Sequence, residues 1–146
     1  MAINFGTDGW RAVISDTFTF ENLRVVSQAI ANAVSSSSWE ELSKVDQIPN
    51  KDRIVIGYDT RFLSDRYAKE VARILAANGF KVFISQSCAP TPAISYAVKF
   101  YGAIAGVMIT ASHNAPRYNG VKLKAAYGGS ALPEQCTLVE VFLNDN

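Results

Sequence analysis

The sequence is poor in cysteine, in histidine and in excess charge of either sign. Its 146 residues include two cysteines and one histidine, and 14 Lys and Arg against 13 Asp and Glu give a formal net charge of +1. Cys88 and Cys136 form no metal-spaced pair, and a single possible bridge is not the pattern of a secreted disulfide scaffold. We therefore expect reduced thiols and a cytoplasmic location.

Two further absences narrow the class of partner. The small net charge, with basic residues spread along the chain, provides no broad field for nucleic acid or an acidic membrane surface. No apolar stretch approaches the ~20 residues that span a bilayer. The first ten residues also lack a charged head followed by an apolar signal core. We expect neither a nucleic-acid partner nor a membrane.

The sequence does contain enough apolar residues for a core. Hydrophobic residues make up 49% of the chain, and its length fits a single domain, residues 1–146. Short apolar strands alternate with helices that carry start and stop signals, which predicts an α/β fold. We expect a three-layer α/β/α sandwich with a mixed, mainly parallel sheet of about four strands.

The individual elements follow from these signals. The predicted strands are Arg53–Tyr58, Phe80–Ile84, Ala103–Ile109 and a returning strand after Asn119-Gly120. The predicted helices are Phe20–Val34 with Thr19 as its cap, one from the cap Ser64 to Gly79, one from the cap Thr91 to Gly102, and one that Pro133 opens. Residues 35–52 between the first helix and the first of these strands are interpreted as a surface excursion.

The stretch from Ala103 to Ala125 combines several chemical groups. A buried strand runs into Thr110-Ala111-Ser112-His113-Asn114, and Asn119-Gly120 offers a tight reversal. Lys122 and Lys124 then alternate with apolar residues, which is typical of a half-buried strand. A hydroxyl, an imidazole, an amide and an ammonium group would converge on this loop. The alternative is a serine-rich surface hairpin without chemistry.

Two other segments suit an anion or a structural turn. Glycines flank Thr7 and Asp8, so backbone amides there can face an anion, and Arg11 adds donors that match phosphate oxygens. An ordinary turn at Asp8-Gly9 is the alternative. Asp59 and Arg61 directly follow a strand, where ligand sites gather, although an internal Asp–Arg pair explains them equally well.

Four segments together resemble the α-D-phosphohexomutases, the phosphoglucomutase/phosphomannomutase family. In the family's order, they are Phe5-Gly6-Thr7-Asp8-Gly9-Trp10-Arg11, Gly57-Tyr58-Asp59-Thr60-Arg61, Thr91-Pro92-Ala93 and the run from Gly106 to Asn114. The last run is similar to the family's phosphoserine loop. One difference is Ala115, which stands before Pro116 where the family usually has proline directly after Ser-His-Asn. The resemblance covers nearly the whole chain and corresponds to the family's first domain.

The resemblance implies a role for each candidate residue. Ser112 would carry a phosphoryl group and donate it to a hexose phosphate through a bisphosphorylated sugar. Arg11 would face that group, Lys122 would transfer a proton, and His113 would orient the loop. Thr7, Asn114 and Lys124 would bind phosphate or substrate. The implied cofactors are Mg²⁺, with Ser112 as a ligand through its phosphate, and glucose 1,6-bisphosphate as activator.

The resemblance also implies that parts of the enzyme are missing from this chain. No two of its aspartates lie in an Asp-x-Asp spacing, whereas the family's metal loop is an aspartate cluster in its second domain. We expect the remaining domains to supply that site and the sugar-binding surfaces. The isolated chain is therefore expected to be inactive, with a hexose phosphate and those domains as its partners.

Two competing functions follow from the same residues. The adjacent Ser112 and His113 suggest a serine hydrolase, but neighbours in an extended loop point apart, and Thr110 and Asn114 occupy the glycine positions of Gly-x-Ser-x-Gly. A non-catalytic phosphate-binding or interaction module would use the same loops without covalent phosphate on Ser112.

Overall fold

The computed structural model describes residues 9–14, 18–42, 48, 50–60, 63–110 and 118–144. Strands and helices alternate through these ranges. Their order is β1 Trp10–Val13, α1 Phe20–Ser35, α2 Ser37–Leu42, β2 Asn50–Tyr58, α3 Ser64–Ala77, β3 Lys81–Ile84, α4 Thr91–Phe100, β4 Ala103–Ile109, β5 Tyr118–Ala125 and α5 Pro133–Asn144. Within the described ranges, no helix has the length and apolar composition needed to cross a membrane.

The strands form one mixed sheet in the order β1-β5-β4-β2-β3. β2 is parallel to both β3 and β4, whereas β5 is antiparallel to β4 and to β1. Four strands therefore point one way and β5 the other. This confirms the predicted α/β/α sandwich with a mixed sheet, but with five strands instead of about four. The additional strand is β1, whose four residues are too few to show a clear alternation.

One face of the sheet is covered by α1, α3 and α5. Leu23 of α1, Val71 of α3 and Val139 of α5 are completely buried in one cluster with Ile56 of β2 and Val107 of β4. Alternation along the strands and helical spacing along the helices bring these apolar side chains against one another. This face forms most of the hydrophobic core.

On the opposite face, α4 is the one helix among the described residues that packs against the sheet. Ile94 and Val98 of this helix pack on Gly57 of β2 and Gly106 of β4. A Cβ atom on Gly57 would lie 2.3 Å from Ile94 Cδ1, and one on Gly106 would lie 2.6 Å from Val98 Cγ2. The two glycines thus let α4 approach the sheet closely over β2 and β4.

The predicted helix starts have different outcomes. Thr19 caps α1 as predicted, because its Oγ1 accepts a hydrogen bond from the Asn22 N–H at 3.1 Å. The predictions of Ser64 and Thr91 as caps are wrong. Each is the first residue of its helix, and the caps are Leu63, with a positive φ of 65°, and Pro90. A cap also needs the backbone angles of the preceding loop, which residue type alone does not determine.

The interpretation of residues 35–52 as a surface excursion holds only in part, because most described residues of this range are exposed or half-buried, but Trp39 and Ile48 are buried. Trp39 of α2 is completely buried, and its Nε1 donates a hydrogen bond to the Ile104 carbonyl at 3.2 Å. β2 also begins inside this range, at Asn50. The four serines before Trp39 suggested a polar surface segment, whereas the Trp39 side chain attaches it to the core.

Candidate functional site

The ends of several strands meet at one edge of the sheet. Because β1, β2, β3 and β4 point the same way, their carboxyl ends lie at this edge together with the start of β5. The Thr110 N–H donates to the Gly120 carbonyl at 2.9 Å, and the Asp59 N–H donates to the Ile109 carbonyl at 3.2 Å. We call it the carboxyl edge after these strand ends. In open α/β sheets, ligands bind at this edge.

Three basic residues share the face of the sheet on which α4 packs. Arg11 of β1 lies opposite Gly120 of β5, and Lys122 and Lys124 follow Gly120 at two-residue steps. Residues opposite one another, and residues two apart on a strand, project from the same face. We call Arg11, Lys122 and Lys124 the basic strip. It runs from the carboxyl edge towards the middle of the sheet.

Arg11 lies directly over a glycine. A Cβ atom on Gly120 would lie 2.8 Å from Arg11 Cγ and 2.3 Å from the Trp10 carbonyl oxygen. The aliphatic part of the Arg11 side chain therefore crosses Gly120, while the residue as a whole is exposed. Gly120 thus provides the space in which Arg11 lies.

The two lysines of the strip differ in exposure. Lys122 lies opposite Met108 of β4 and is half-buried, whereas Lys124 lies opposite Gly106 and is 7% exposed. The stem of Lys124 packs on Gly106, where a Cβ atom would lie 3.2 Å from Lys124 Cβ. Long basic side chains commonly bury their stems in this way.

Arg11 and Lys122 can act on the same anion. They are diagonal neighbours on adjacent antiparallel strands, a relation that separates two residues by about 7–8 Å. Both side chains are long enough to converge on one phosphate group, with bidentate donors from the guanidinium and a mobile charge from the ammonium. The structure thus brings together two of the predicted catalytic residues, and Lys124 lies beside them.

The predicted turn at Asn119-Gly120 is wrong. Both residues lie inside β5, and Asn119 is completely buried. Asn119 Nδ2 donates to Ser64 Oγ at 2.8 Å, its Oδ1 accepts from the Gly120 N–H at 2.9 Å, and Ser64 Oγ donates to Asp59 Oδ1 at 2.9 Å. We call Asp59, Ser64 and Asn119 the Asn119 network. The Asn-Gly pair suggested a turn and so concealed two residues that shape the site.

Several predicted residues lie outside the described ranges. These are Thr7, Ser112, His113 and Asn114, together with Arg61 of the suggested Asp–Arg pair. Along the sequence, Ser112 is two residues beyond Thr110 at the carboxyl edge. Their assigned roles therefore stay predictions from the sequence.

Two clefts flank the sheet in the described part of the molecule. One of about 250 Å³ lies at the carboxyl edge and is lined by Asp59, Thr60 and residues 88–90. A larger cleft of about 430 Å³ lies at the opposite edge, beside Ser36, Lys51 and Gly79. The larger cleft contains none of the predicted site residues, so its size alone does not identify a site.

Comparison with known families gives a match over almost the entire chain. The family profile of the phosphoglucomutase/phosphomannomutase alpha/beta/alpha domain I matches residues 2–146. A phosphoglucomutase from Staphylococcus saprophyticus is 44% identical over 91 residues, which are 62% of this chain and 16% of that protein. A protein from Pyrococcus abyssi, assigned as a phosphoglucosamine mutase, is 39% identical over 131 residues, or 90% of this chain and 26% of that protein.

A solved structure agrees with the fold. A protein from Thermus thermophilus, assigned as a phosphomannomutase, superposes with a TM-score of 0.85 and is 37% identical in sequence. The superposition covers 98% of this chain and 30% of that one. The present chain thus spans a third or less of each of these relatives.

Proposed function

The chain belongs to the phosphoglucomutase/phosphomannomutase family, as its alpha/beta/alpha domain I, and from this we propose that it is the phosphoryl-carrying part of a cytoplasmic phosphohexomutase. In this proposal the complete enzyme interconverts hexose 1-phosphates and hexose 6-phosphates. The relatives above are named for glucose, glucosamine and mannose phosphates. We therefore propose a hexose phosphate as substrate without choosing the sugar.

The observation that carries the proposal is the placement of Arg11 and Lys122 as diagonal neighbours beside the carboxyl edge. In the sequence, Ser112 lies between the end of β4 and the start of β5, and both of these ends are at this edge. Transfer of a phosphoryl group needs mainly charge neutralisation and alignment. An arginine and a lysine that reach one phosphate from the same face can supply the first of these.

In the proposed reaction, phosphate on Ser112 passes to a free hydroxyl of the sugar phosphate. The P–O bond to Ser112 Oγ breaks, a P–O bond to the sugar oxygen forms, and the sugar hydroxyl loses its proton. After the bisphosphorylated sugar turns over, its other phosphoryl group returns to Ser112. Arg11 would hold the phosphoryl oxygens, and His113 would orient the loop. The Lys122 ammonium would give a proton to Ser112 Oγ as its P–O bond breaks and would take up the proton that the sugar hydroxyl loses. Thr7, Asn114 and Lys124 would bind phosphate or substrate.

Magnesium does not fit the described residues by themselves. These residues contain no group of three or more His, Cys, Asp or Glu side chains that could hold a metal ion, and Mg²⁺ requires several oxygen ligands. A phosphate on Ser112 would supply only one of them. We derive no step through the metal and propose that other domains of the complete enzyme supply its carboxylates.

The same reasoning leads us to propose that the 146-residue chain alone is catalytically inactive. The chain spans a third or less of the relatives compared here. We expect no conversion of glucose 1-phosphate to glucose 6-phosphate by the purified chain in a coupled assay with Mg²⁺ and glucose 1,6-bisphosphate. Turnover that is lost in a Ser112→Ala variant would contradict this proposal.

The central test is covalent phosphate on Ser112. The natural full-length protein is incubated with glucose 1,6-bisphosphate, and its intact mass and phosphopeptides are measured. We expect one added phosphoryl group on Ser112, absent in Ser112→Ala and retained in the matched control Ser38→Ala. If no phosphate is found but inorganic phosphate still binds, the chain is a non-catalytic phosphate-binding module instead.

A further inference from the structure

The Asn119 network joins three elements at the carboxyl edge. Asn119 belongs to β5, Ser64 is the first residue of α3, and Asp59 directly follows β2. Asn119 and Ser64 are completely buried, and their mutual hydrogen bond of 2.8 Å spans 55 positions of sequence. Buried polar groups that bond across elements fix their relative positions more specifically than apolar contacts do.

The direction of the hydrogen bonds in this network is determined by the serine. A hydroxyl has one proton, and Ser64 donates it to Asp59 Oδ1. Ser64 Oγ must therefore accept its second hydrogen bond, and the Asn119 amide provides that donor. An aspartate at position 119 would place a second acceptor against a hydroxyl whose proton is already used.

The backbone beside Ser64 is unusual in the same region. Leu63 has a φ of 65°, and it is the one non-glycine residue with positive φ in the described part of the chain. Such a conformation is costly for a residue with a side chain and persists when the surrounding contacts enforce it. The Asn119 network is a contact of this kind, since it attaches Ser64 on both sides.

We infer that Asn119 is a positioning residue for the proposed phosphoryl transfer. Through Ser64 and Asp59 it fixes the first residues of β5, which include Gly120 beneath Arg11 and lead to Lys122. This inference rests on the proposed function, because it concerns where Arg11 and Lys122 meet the phosphate. Asn119 itself does not touch the phosphate in this scheme.

The test compares three variants of the natural full-length protein. Asn119→Asp replaces the amide that donates to Ser64 Oγ with an acceptor. Adding Asp59→Asn gives Ser64 one donor amide and one carboxylate again, with the two hydrogen bonds reversed. Asn50→Asp is the matched control, because Asn50 begins β2 at the opposite edge and donates its Nδ2 to the Tyr101 carbonyl at 3.0 Å. For each, the melting temperature and the rate of phosphate uptake on Ser112 are measured below the melting transition.

We expect Asn119→Asp to slow phosphate uptake by about tenfold or more, since small displacements of positioned groups have effects of this size. The double variant should recover most of the rate, and Asn50→Asp should lower the melting temperature without changing the rate. Unchanged uptake in Asn119→Asp, or no recovery in the double variant, would overturn the inference. If Asn119→Asp does not fold, Ser64→Ala replaces it with the same expected loss of uptake.

A second readout separates this inference from the proposed function. Inorganic phosphate is titrated into the 146-residue chain and followed by NMR at Arg11 and Lys122. Binding that weakens severalfold in Asn119→Asp but not in Asn50→Asp supports the positioning role, even if the wild type takes up no covalent phosphate. Equal phosphate binding by the wild type and Asn119→Asp would count against it.

Discussion

The two faces of the sheet serve different purposes. Three helices, α1, α3 and α5, cover one face and bury most of its side chains, whereas α4 is the one helix among the described residues that packs on the other. Over β1 and β5, the described residues leave Arg11 exposed and Lys122 half-buried, whereas Lys124 of the basic strip is buried. A basic cluster on the first face would have to be desolvated, which is costly for unpaired charges. In the described part of the molecule, the face with the single helix is therefore the one on which Arg11 is exposed and Lys122 half-buried.

The largest effect on stability is expected on the face that α1, α3 and α5 cover. Ile56→Ala removes a completely buried side chain from that core. We expect a loss of about 2–5 kcal/mol in the free energy of unfolding, from lost apolar burial and the cavity left behind. Urea denaturation measures it. As a control, Tyr96→Ala on the outer side of α4, where Tyr96 is 68% exposed, should change stability by no more than about 0.5 kcal/mol.

A smaller loss in the free energy of unfolding is expected where α4 approaches the sheet. Gly106→Ala places a methyl group 2.6 Å from Val98 Cγ2, and overpacking of this kind costs about 1–3 kcal/mol. The double variant Gly106→Ala with Val98→Ala tests the cause, because the smaller side chain relieves the overlap. Additive losses in this double-mutant cycle would show that the close approach of α4 is not responsible.

An ion pair between α1 and α3 is expected to contribute still less to the free energy of unfolding. Arg24 Nε donates to Glu70 Oε1 at 2.8 Å, which links α1 to α3. Hydrogen bonds from Arg73 and then Arg24 hold the pKa of Glu70 below its ordinary value of 4.5. A carboxyl group with a lowered pKa stabilises the folded protein at pH values above its ordinary pKa. This stabilisation is lost as the pH falls through the folded-state pKa.

Glu70→Gln should therefore cost roughly 0.2–1 kcal/mol at pH 7, the range for exposed ion pairs. Urea titrations at several pH values should show this difference from the wild type shrinking as the solution is acidified below pH 4.5. A difference that stays constant down to pH 2 would mean that the ionised carboxylate contributes nothing.

The smallest effect on stability is expected in the basic strip. Lys122→Met keeps the length of a half-buried side chain and removes its charge, so the free energy of unfolding should change by less than about 0.5 kcal/mol. Binding of inorganic phosphate, measured by calorimetry, should weaken at least severalfold. The matched control Lys81→Met, at the exposed start of β3, should leave phosphate binding unchanged. Equal loss in both variants would mean that general charge, not the strip, attracts the anion.

Local patterns in the sequence predicted helices and strands better than they predicted the contacts between them. Thr19 could be identified as a cap because its contact with the Asn22 N–H lies within three residues. Ser64 has the same kind of side chain, but its hydrogen bonds go to Asp59 and to Asn119, 55 positions away. The residue type was informative in both cases, and the partner could be read only where it was local.

For the candidate site, too, the sequence predicted the local features and not the contacts between distant segments. Period-two alternation predicted Lys122 and Lys124 on one face, opposite Val121 and Leu123, and the burial of those two apolar residues agrees. The pairing of β1 with β5 could not be read from four residues of an edge strand. Without that pairing the sequence could not place Arg11 beside Lys122, nor show that Gly120 gives Arg11 its space.

By itself, therefore, the sequence determined the α/β alternation, the family and the candidate residues, because these depend on periodicity and on short motifs. Only the tertiary structure decided which strands are neighbours, on which face α4 is the one described helix, and that Asn119 lies in a strand bonded to α3. These features arise from packing and hydrogen bonding between distant segments, whose partners are selected by the whole fold and not by the residues on either side.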